Sequence, residues 1–155
     1  MSVTVDSPAV SHEQRCPLSV GDSFVTRGRT ITESDVVQFS ALTGDWHPQH
    51  SDAKWASSST FGERVAHGML VLSYAIGLMD LPPERVVALR AVRKVKFKRP
   101  VLLGETITVF GGVKDARPIG DGMRVATIEL SIRGGDDRVL VHGTIDAIVR
   151  DEREV

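Results

Sequence analysis

The chain of 155 residues has no cysteine pair for a disulfide, little net charge and no long apolar stretch. Its single cysteine, Cys16, excludes an internal disulfide and is compatible with a reducing compartment. A net charge of -1 gives no reason to expect binding to nucleic acid or to an anionic membrane. The longest apolar stretch, residues 69–79, is too short to span a bilayer. Residues 1–17 lack the apolar segment of a signal peptide, so we expect a cytoplasmic protein.

The length and composition indicate one domain. Residues 1–17 are polar and predict a flexible leader, whereas residues 18–151 can form a single core of ordinary size. A short strand is expected over 20–25. Thr32 is then a suitable helix N-cap, and Gly44 is a natural end for the helix that follows.

The middle of the chain predicts an irregular segment between helices. Pro48 lacks an N–H and restricts the residue before it, so residues 44–50 are not expected to form a regular element. A short helix is expected over 52–58. Residues 69–79 are apolar without period-two alternation, which favours a helix covered on all sides by the rest of the protein.

The second half of the chain has the pattern of an antiparallel sheet. Its strands are joined by short connections that contain glycine, which favours antiparallel neighbours. Lys94, Lys96 and Lys98 alternate with apolar residues and are most simply the solvated face of a strand, although a contact with phosphate stays open. We predict an α+β fold in which a curved antiparallel sheet wraps around the central buried helix. The expected strands are 86–100, 106–110, 124–132 and 139–149.

Acid–base side chains are concentrated around the irregular segment. Asp45, His47 and His50 lie within it, and His67 directly precedes the apolar helix. Histidine and aspartate are the usual proton-transfer pair near neutral pH, and both side chains of Asp45 and His50 could point at one water. Gly68 has no side chain to shield its N–H, and free amides at a helix start stabilise developing negative charge on oxygen. These residues form a candidate acid–base site.

The same residues also have structural explanations, which the pattern alone leaves open. Asp45 could cap a turn, and His67 could be a structural or capping histidine. A metal site made from Asp45, His47 and His50 is disfavoured, because the intervening proline prevents helical ligand spacing and no fourth ligand is suitably placed.

Three segments, in this order, resemble the MaoC-like (R)-specific enoyl-CoA hydratases and dehydratases, which have a hot-dog fold. They are residues 43–50 (TGDWHPQH), 66–70 (AHGML) and 95–106 (VKFKRPVLLGET). The resemblance covers roughly residues 20–150. The first segment is the most specific, because the family pattern there is Asp, any residue, Asn, Pro, any residue, His. This chain keeps Asp45, Pro48 and His50 but has His47 where asparagine is commonest.

The resemblance implies a function and a set of roles. It implies hydration of 2-enoyl thioesters, or the reverse dehydration, on coenzyme A or acyl carrier protein, by a homodimer or larger homo-oligomer. Asp45 and His50 would be the catalytic pair that activates water. Gly68 would hold the thioester oxygen, and His67 and His47 would lie beside the substrate. No metal or other cofactor is implied.

Two rival functions remain for the same fold. A hot-dog acyl-thioesterase would often carry a carboxylate on the central helix, and residues 68–79 contain none. A non-catalytic acyl-binding module would have no need of an Asp45–His50 pair, although His47 departs from the family pattern and keeps this alternative open.

Overall fold

The computed structural model describes residues 18–151, so the predicted leader and Cys16 lie outside the described residues. Four helices and six strands follow one another along this range. No helix within it is long and apolar enough to cross a membrane. The elements are β1 (Ser23–Val25), β2 (Arg29–Thr30), α1 (Glu33–Thr43), α2 (Pro48–Ser51), α3 (Ala53–Ser57), α4 (Gly68–Leu78), β3 (Val86–Phe97), β4 (Thr106–Gly120), β5 (Met123–Arg133) and β6 (Val139–Arg150).

The strands form one antiparallel sheet in the order β1-β4-β5-β6-β3, with β2 paired to β4. Strand β5 alternates buried apolar residues with polar ones, which gives the sheet one apolar face. Helix α4 lies in the core formed on that face, with Val71 1% exposed and Ala75 fully buried. The predicted α+β architecture, with a curved sheet around a central helix, is confirmed.

The expectation that α4 is covered on all sides is wrong in one respect. Met69, Ser73 and Gly77 are exposed in the single chain, and their spacing of four residues places them on one stripe of the helix. The sheet has one apolar face to offer, and that face covers the opposite side of α4.

Strand β4 is longer than the sequence pattern indicates. It continues past the predicted end at Phe110 as far as Gly120. Gly111 and Gly112 weaken the strand pattern, but the ring of Phe24 occupies the place that a side chain at Gly111 would need. Gly111 therefore allows β1 to pack closely on β4.

The lysine alternation in β3 is interrupted. Lys94 has a φ of 52°, in the left-handed region that a non-glycine residue rarely adopts. The pairing of β3 with β6 shifts register between Arg93 and Lys96, which marks a bulge at this point. Lys94 therefore does not simply continue the alternating face of a regular strand.

Candidate active site

Helix α1 ends where the site begins. Gly44 adopts a φ of 78° and its N–H donates to the Ser40 carbonyl, so the chain leaves the helix in the left-handed conformation that glycine tolerates. Residues 44–47 are irregular, as predicted, but Pro48–Ser51 forms the short helix α2. Proline is well suited to the first position of a helix, because the N–H there has no partner within the helix. The expectation of an irregular segment through His50 is therefore wrong for its last three residues.

His50 is held in one orientation at the centre of the site. Its side chain is largely buried, and its Nδ1 lies 2.7 Å from the Val65 carbonyl oxygen. Because a carbonyl can only accept, Nδ1 carries the hydrogen and Nε2 of the neutral ring has a free lone pair. That Nε2 lies 4.0 Å from Oδ2 of Asp45. The arrangement presents a proton acceptor beside a carboxylate.

The surroundings of His50 favour its neutral form. Burial is the largest influence and lowers the pKa of His50 below 6.5, and the neighbouring His67 and His47 lower it further. The hydrogen bond to Val65 and the carboxylate of Asp45 act in the opposite direction without reversing the shift. His50 is therefore available as a base near neutral pH.

Asp45 differs from His50 in being half exposed. Its Oδ1 accepts a hydrogen bond of 3.2 Å from the His47 N–H, and its Oδ2 faces both His50 and His67. One carboxylate oxygen is thus tied to the loop and the other is left beside the histidines.

His67 packs behind the pair. It is 3% exposed, and its ring stacks on that of His50 with 3.8 Å between centroids. Its Nε2 lies 3.1 Å from the Asp45 carbonyl oxygen and 3.3 Å from Oγ of Ser40. The carbonyl requires a hydrogen on Nε2, so His67 ties the main chain of Asp45 to the start of α4.

A cavity of about 410 Å³ opens beside His50. Gly68 lines it as the first residue of α4, so its N–H has no acceptor within the helix. A side chain at Gly68 would come within 2.8 Å of the Phe97 ring, which lines the same cavity. Lys98 and Arg99 add positive charge to a lining that is otherwise mainly apolar. The remaining lining residues are Gln49, Phe61, Val65, Ala66, Met69, Val71, Pro100, Val101 and Val141.

Some of the predicted site residues line the cavity, and the others lie next to those that do. Asp45, His50 and His67 come together, and His50 and Gly68 line the cavity. His47 is exposed, and its Nδ1 accepts a hydrogen bond from the Gln49 N–H at the start of α2. Asp45, His47 and His67 are not among the residues that line this cavity.

Asp45, His50 and His67 also form the one group within residues 18–151 with the composition and spacing of a metal site, with ligand atoms within 4.8 Å of one another. This set includes His67 in place of the His47 considered from the sequence. A metal would need the lone pair on Nε2 of His67, which would place the hydrogen on Nδ1, where the described residues offer no acceptor. The hydrogen bond to the Asp45 carbonyl instead favours the His67 tautomer with hydrogen on Nε2. The three side chains therefore suit proton transfer better than metal binding.

Two supporting groups were missed by the sequence analysis. The Val65 carbonyl that orients His50 is a main-chain group and has no signal in the sequence. Ser40 is buried on α1 four residues after the buried Val36, and a polar residue on that apolar stripe was a signal that it has a partner.

Comparison with known proteins identifies the class. The fold resembles that of a Mycobacterium tuberculosis protein described as a double hotdog fold, with a TM-score of 0.79 at 22% identity over 89% of this chain and 44% of that one. An unliganded (R)-hydratase from Pseudomonas aeruginosa gives a TM-score of 0.72 at 27% identity, covering 87% of this chain and 84% of that one. The protein has a hot-dog fold.

The family follows from the sequence. A family model described as MaoC like domain matches residues 17–133, and the chain belongs to this family. Protein MaoC of Klebsiella aerogenes is 43% identical over 90 residues, and an (R)-specific enoyl-CoA hydratase of Rhodospirillum rubrum is 34% identical over 80 residues. These matches cover 57% and 52% of this chain but only 27% and 56% of the two relatives.

Proposed function

We propose that the chain adds water to 2-enoyl thioesters to give (R)-3-hydroxyacyl thioesters, and catalyses the reverse dehydration. The acyl group would be carried on coenzyme A or acyl carrier protein. The observation that carries the proposal is the free Nε2 of His50, 4.0 Å from Asp45 and beside a cavity that also contains the start of α4. The names of the hydratase relatives support the same reaction and its stereochemistry.

In the proposed mechanism the Asp45–His50 pair transfers protons, and the Gly68 N–H stabilises negative charge on the thioester oxygen. The thioester makes C3 of the enoyl group electrophilic, and the Asp45–His50 pair takes a proton from water as the oxygen bonds to C3. Electrons move from the C2–C3 double bond towards the thioester oxygen, where the Gly68 N–H stabilises the negative charge. The pair then returns one proton to C2, which restores its starting protonation state.

The cavity suits the proposed substrate. Its lining is mainly apolar, as an acyl chain requires, and the polar groups are concentrated at His50 and the helix start. Lys98 and Arg99 lie on the same cavity and would face the phosphates of a carrier. No step in this mechanism uses a metal or a redox cofactor.

We also propose that the chain acts as a homodimer with the active site near the subunit boundary. The exposed stripe of α4 includes Met69, and the edge strand β3 exposes several apolar residues, including Phe97 of the cavity. Open edges and apolar patches of this kind are normally paired or covered. The other large exposed apolar side chains of β3 are those of Val87, Leu89 and Val92.

Sedimentation at micromolar concentration tests the assembly. We expect the mass of a dimer or of a larger assembly built from it. A single monomeric species across the range in which the protein is active would contradict the proposal.

An assay with crotonyl-coenzyme A tests the reaction. The enoyl-thioester absorbance should fall when enzyme is added, and chiral analysis of the product should give the (R)-3-hydroxyacyl thioester. A parallel thiol assay should show no release of coenzyme A. Thiol release would favour the thioesterase alternative, and binding of the acyl thioester without turnover would favour the non-catalytic module.

A further inference from the structure

His47 connects the two members of the proposed catalytic pair. Its main-chain N–H donates to Oδ1 of Asp45 at 3.2 Å, and its main-chain carbonyl accepts from the N–H of His50 at 2.8 Å. The Ser51 hydroxyl also donates to this carbonyl at 3.2 Å. Any change in the backbone of His47 therefore moves both Asp45 and His50.

The ring of His47 adds a further hydrogen bond that holds this backbone. Its Nδ1 accepts a hydrogen bond of 3.1 Å from the Gln49 N–H, which makes His47 the side-chain N-cap of α2. Because α2 has only four residues, one capping bond is a large share of what holds it. His50 lies on this helix, three residues after the cap.

A second element holds the ring itself. The ring of His47 packs edge-on against the ring of Trp55, with an interplanar angle of 89° and 5.5 Å between the ring centroids. Trp55 belongs to α3, whose own N-cap is the Asp52 side chain, which accepts from the Trp55 N–H. The ring contact thus links α3 to the cap of α2, in addition to Asp52, which joins the two helices directly.

We propose that His47 is a positioning residue, which acts through Nδ1 to hold Asp45 and His50 at their reactive separation. It serves the proposed hydratase reaction without contacting the reacting atoms, and the inference therefore rests on the proposed function. The acceptor at Nδ1 is the essential property, and the aromatic ring is secondary.

Three substitutions separate the acceptor from the ring. His47→Asn supplies a side-chain oxygen that can accept the same bond but removes the ring. His47→Phe keeps an aromatic ring against Trp55 but has no acceptor, and His47→Ala removes both. His142→Ala is a matched control, because His142 lies on β6 and pairs with Glu129 of β5, outside the segment that holds His47.

In steady-state kinetics at pH 8, the kcat of each variant at residue 47 should depend on whether its side chain can accept the hydrogen bond from the Gln49 N–H. We expect His47→Phe and His47→Ala to lower kcat by about five- to tenfold, the scale of one capping bond, with KM changed by less than about twofold. His47→Asn and His142→Ala should stay within about twofold of the unsubstituted protein. Full activity in His47→Phe, or a loss in His47→Asn as large as in His47→Ala, would overturn the proposal.

Nitrogen NMR of the histidine rings tests the same inference without turnover. At pH 8, His47 should be the tautomer with hydrogen on Nε2, and His50 the tautomer with hydrogen on Nδ1. The Gln49 amide should exchange faster in His47→Phe than in His47→Asn. A His47 ring with hydrogen on Nδ1 would contradict the inference even if the hydratase assay succeeds, and the expected tautomers would support the capping role even if that assay fails.

Discussion

Two aspartates near opposite ends of α1 are held in contrasting ways, and only the second of them, Asp45, is proposed to take part in chemistry. Asp35, in the first turn, is 8% exposed and accepts hydrogen bonds from the Thr32 N–H, the Tyr74 hydroxyl and Arg29. Asp45, after the last turn, is half exposed and accepts one bond from the His47 N–H. Its second oxygen faces histidine nitrogens at 3.9 and 4.0 Å, which is beyond hydrogen-bond distance.

The difference between them lies in how completely each carboxylate is satisfied. Burial alone would raise the pKa of Asp35, but hydrogen bonds from Tyr74 and Thr32 and the charge of Arg29 outweigh it and lower that pKa to about 2. A carboxylate held in this way stays ionised and stabilises the fold. A carboxylate with a free oxygen beside a neutral histidine can instead bind a water and take part in proton transfer.

The largest expected effect is on turnover, through the proposed Asp45–His50 pair. Asp45→Asn and His50→Ala should each lower kcat by at least ~10², the usual scale for losing a general acid or base. Steady-state kinetics with an enoyl thioester measures this loss, and circular dichroism should show an unchanged fold. Turnover near that of the unsubstituted protein in either variant would remove the pair from the mechanism.

A smaller effect, on stability, is expected at Asp35. Its pKa is lower in the folded protein than the ordinary value of 3.8, so ionised Asp35 stabilises the fold above about pH 4. Asp35→Asn should lower the free energy of unfolding at pH 7 by about 2 kcal/mol, as measured by urea denaturation. The difference between the two proteins should shrink as the pH falls from 4 to 2. A difference that is constant over this range would show that the charge of Asp35 contributes nothing.

The smallest expected effect is a displaced pH profile. Because the pKa of His50 is below 6.5, the substrate-free protein should keep this proposed base unprotonated to a lower pH than an exposed histidine would. The acidic limb of kcat/KM should therefore have an apparent pKa below 6.5. A limb at or above that value would mean that His50 is not the base or that the substrate-free site is more hydrated than its burial indicates.

The capping residues made part of this fold predictable from the sequence. Thr32 and Gly44 mark the helix ends where α1 has its N-cap and C-cap, because capping is local chemistry. The extent of β4 was not predictable in the same way, because the role of Gly111 depends on the Phe24 ring of a distant strand. The exposed stripe of α4 was also missed, since apolar composition does not reveal which side the sheet covers.

For the candidate site, too, the local features were predictable and the tertiary contacts were not. Asp45, His50, His67 and Gly68 were all selected from the sequence as the residues of interest, but their arrangement was not specified. The stacking of His67 on His50 joins elements that are far apart along the chain, and the Val65 carbonyl that sets the tautomer of His50 is a main-chain group. Such contacts follow from tertiary packing and have no local pattern.

The most direct test of this account compares two matched substitutions in one experiment. Asp45→Asn and Asp35→Asn each replace a carboxylate by an amide of the same size, and both kcat and the free energy of unfolding are measured for each. We predict that Asp45→Asn loses at least ~10² in kcat with little change in stability, and that Asp35→Asn loses about 2 kcal/mol of stability with kcat nearly unchanged in the folded protein. If the two variants lose activity and stability in the same proportion, Asp45 is a structural residue like Asp35, and the proposed catalytic pair is wrong.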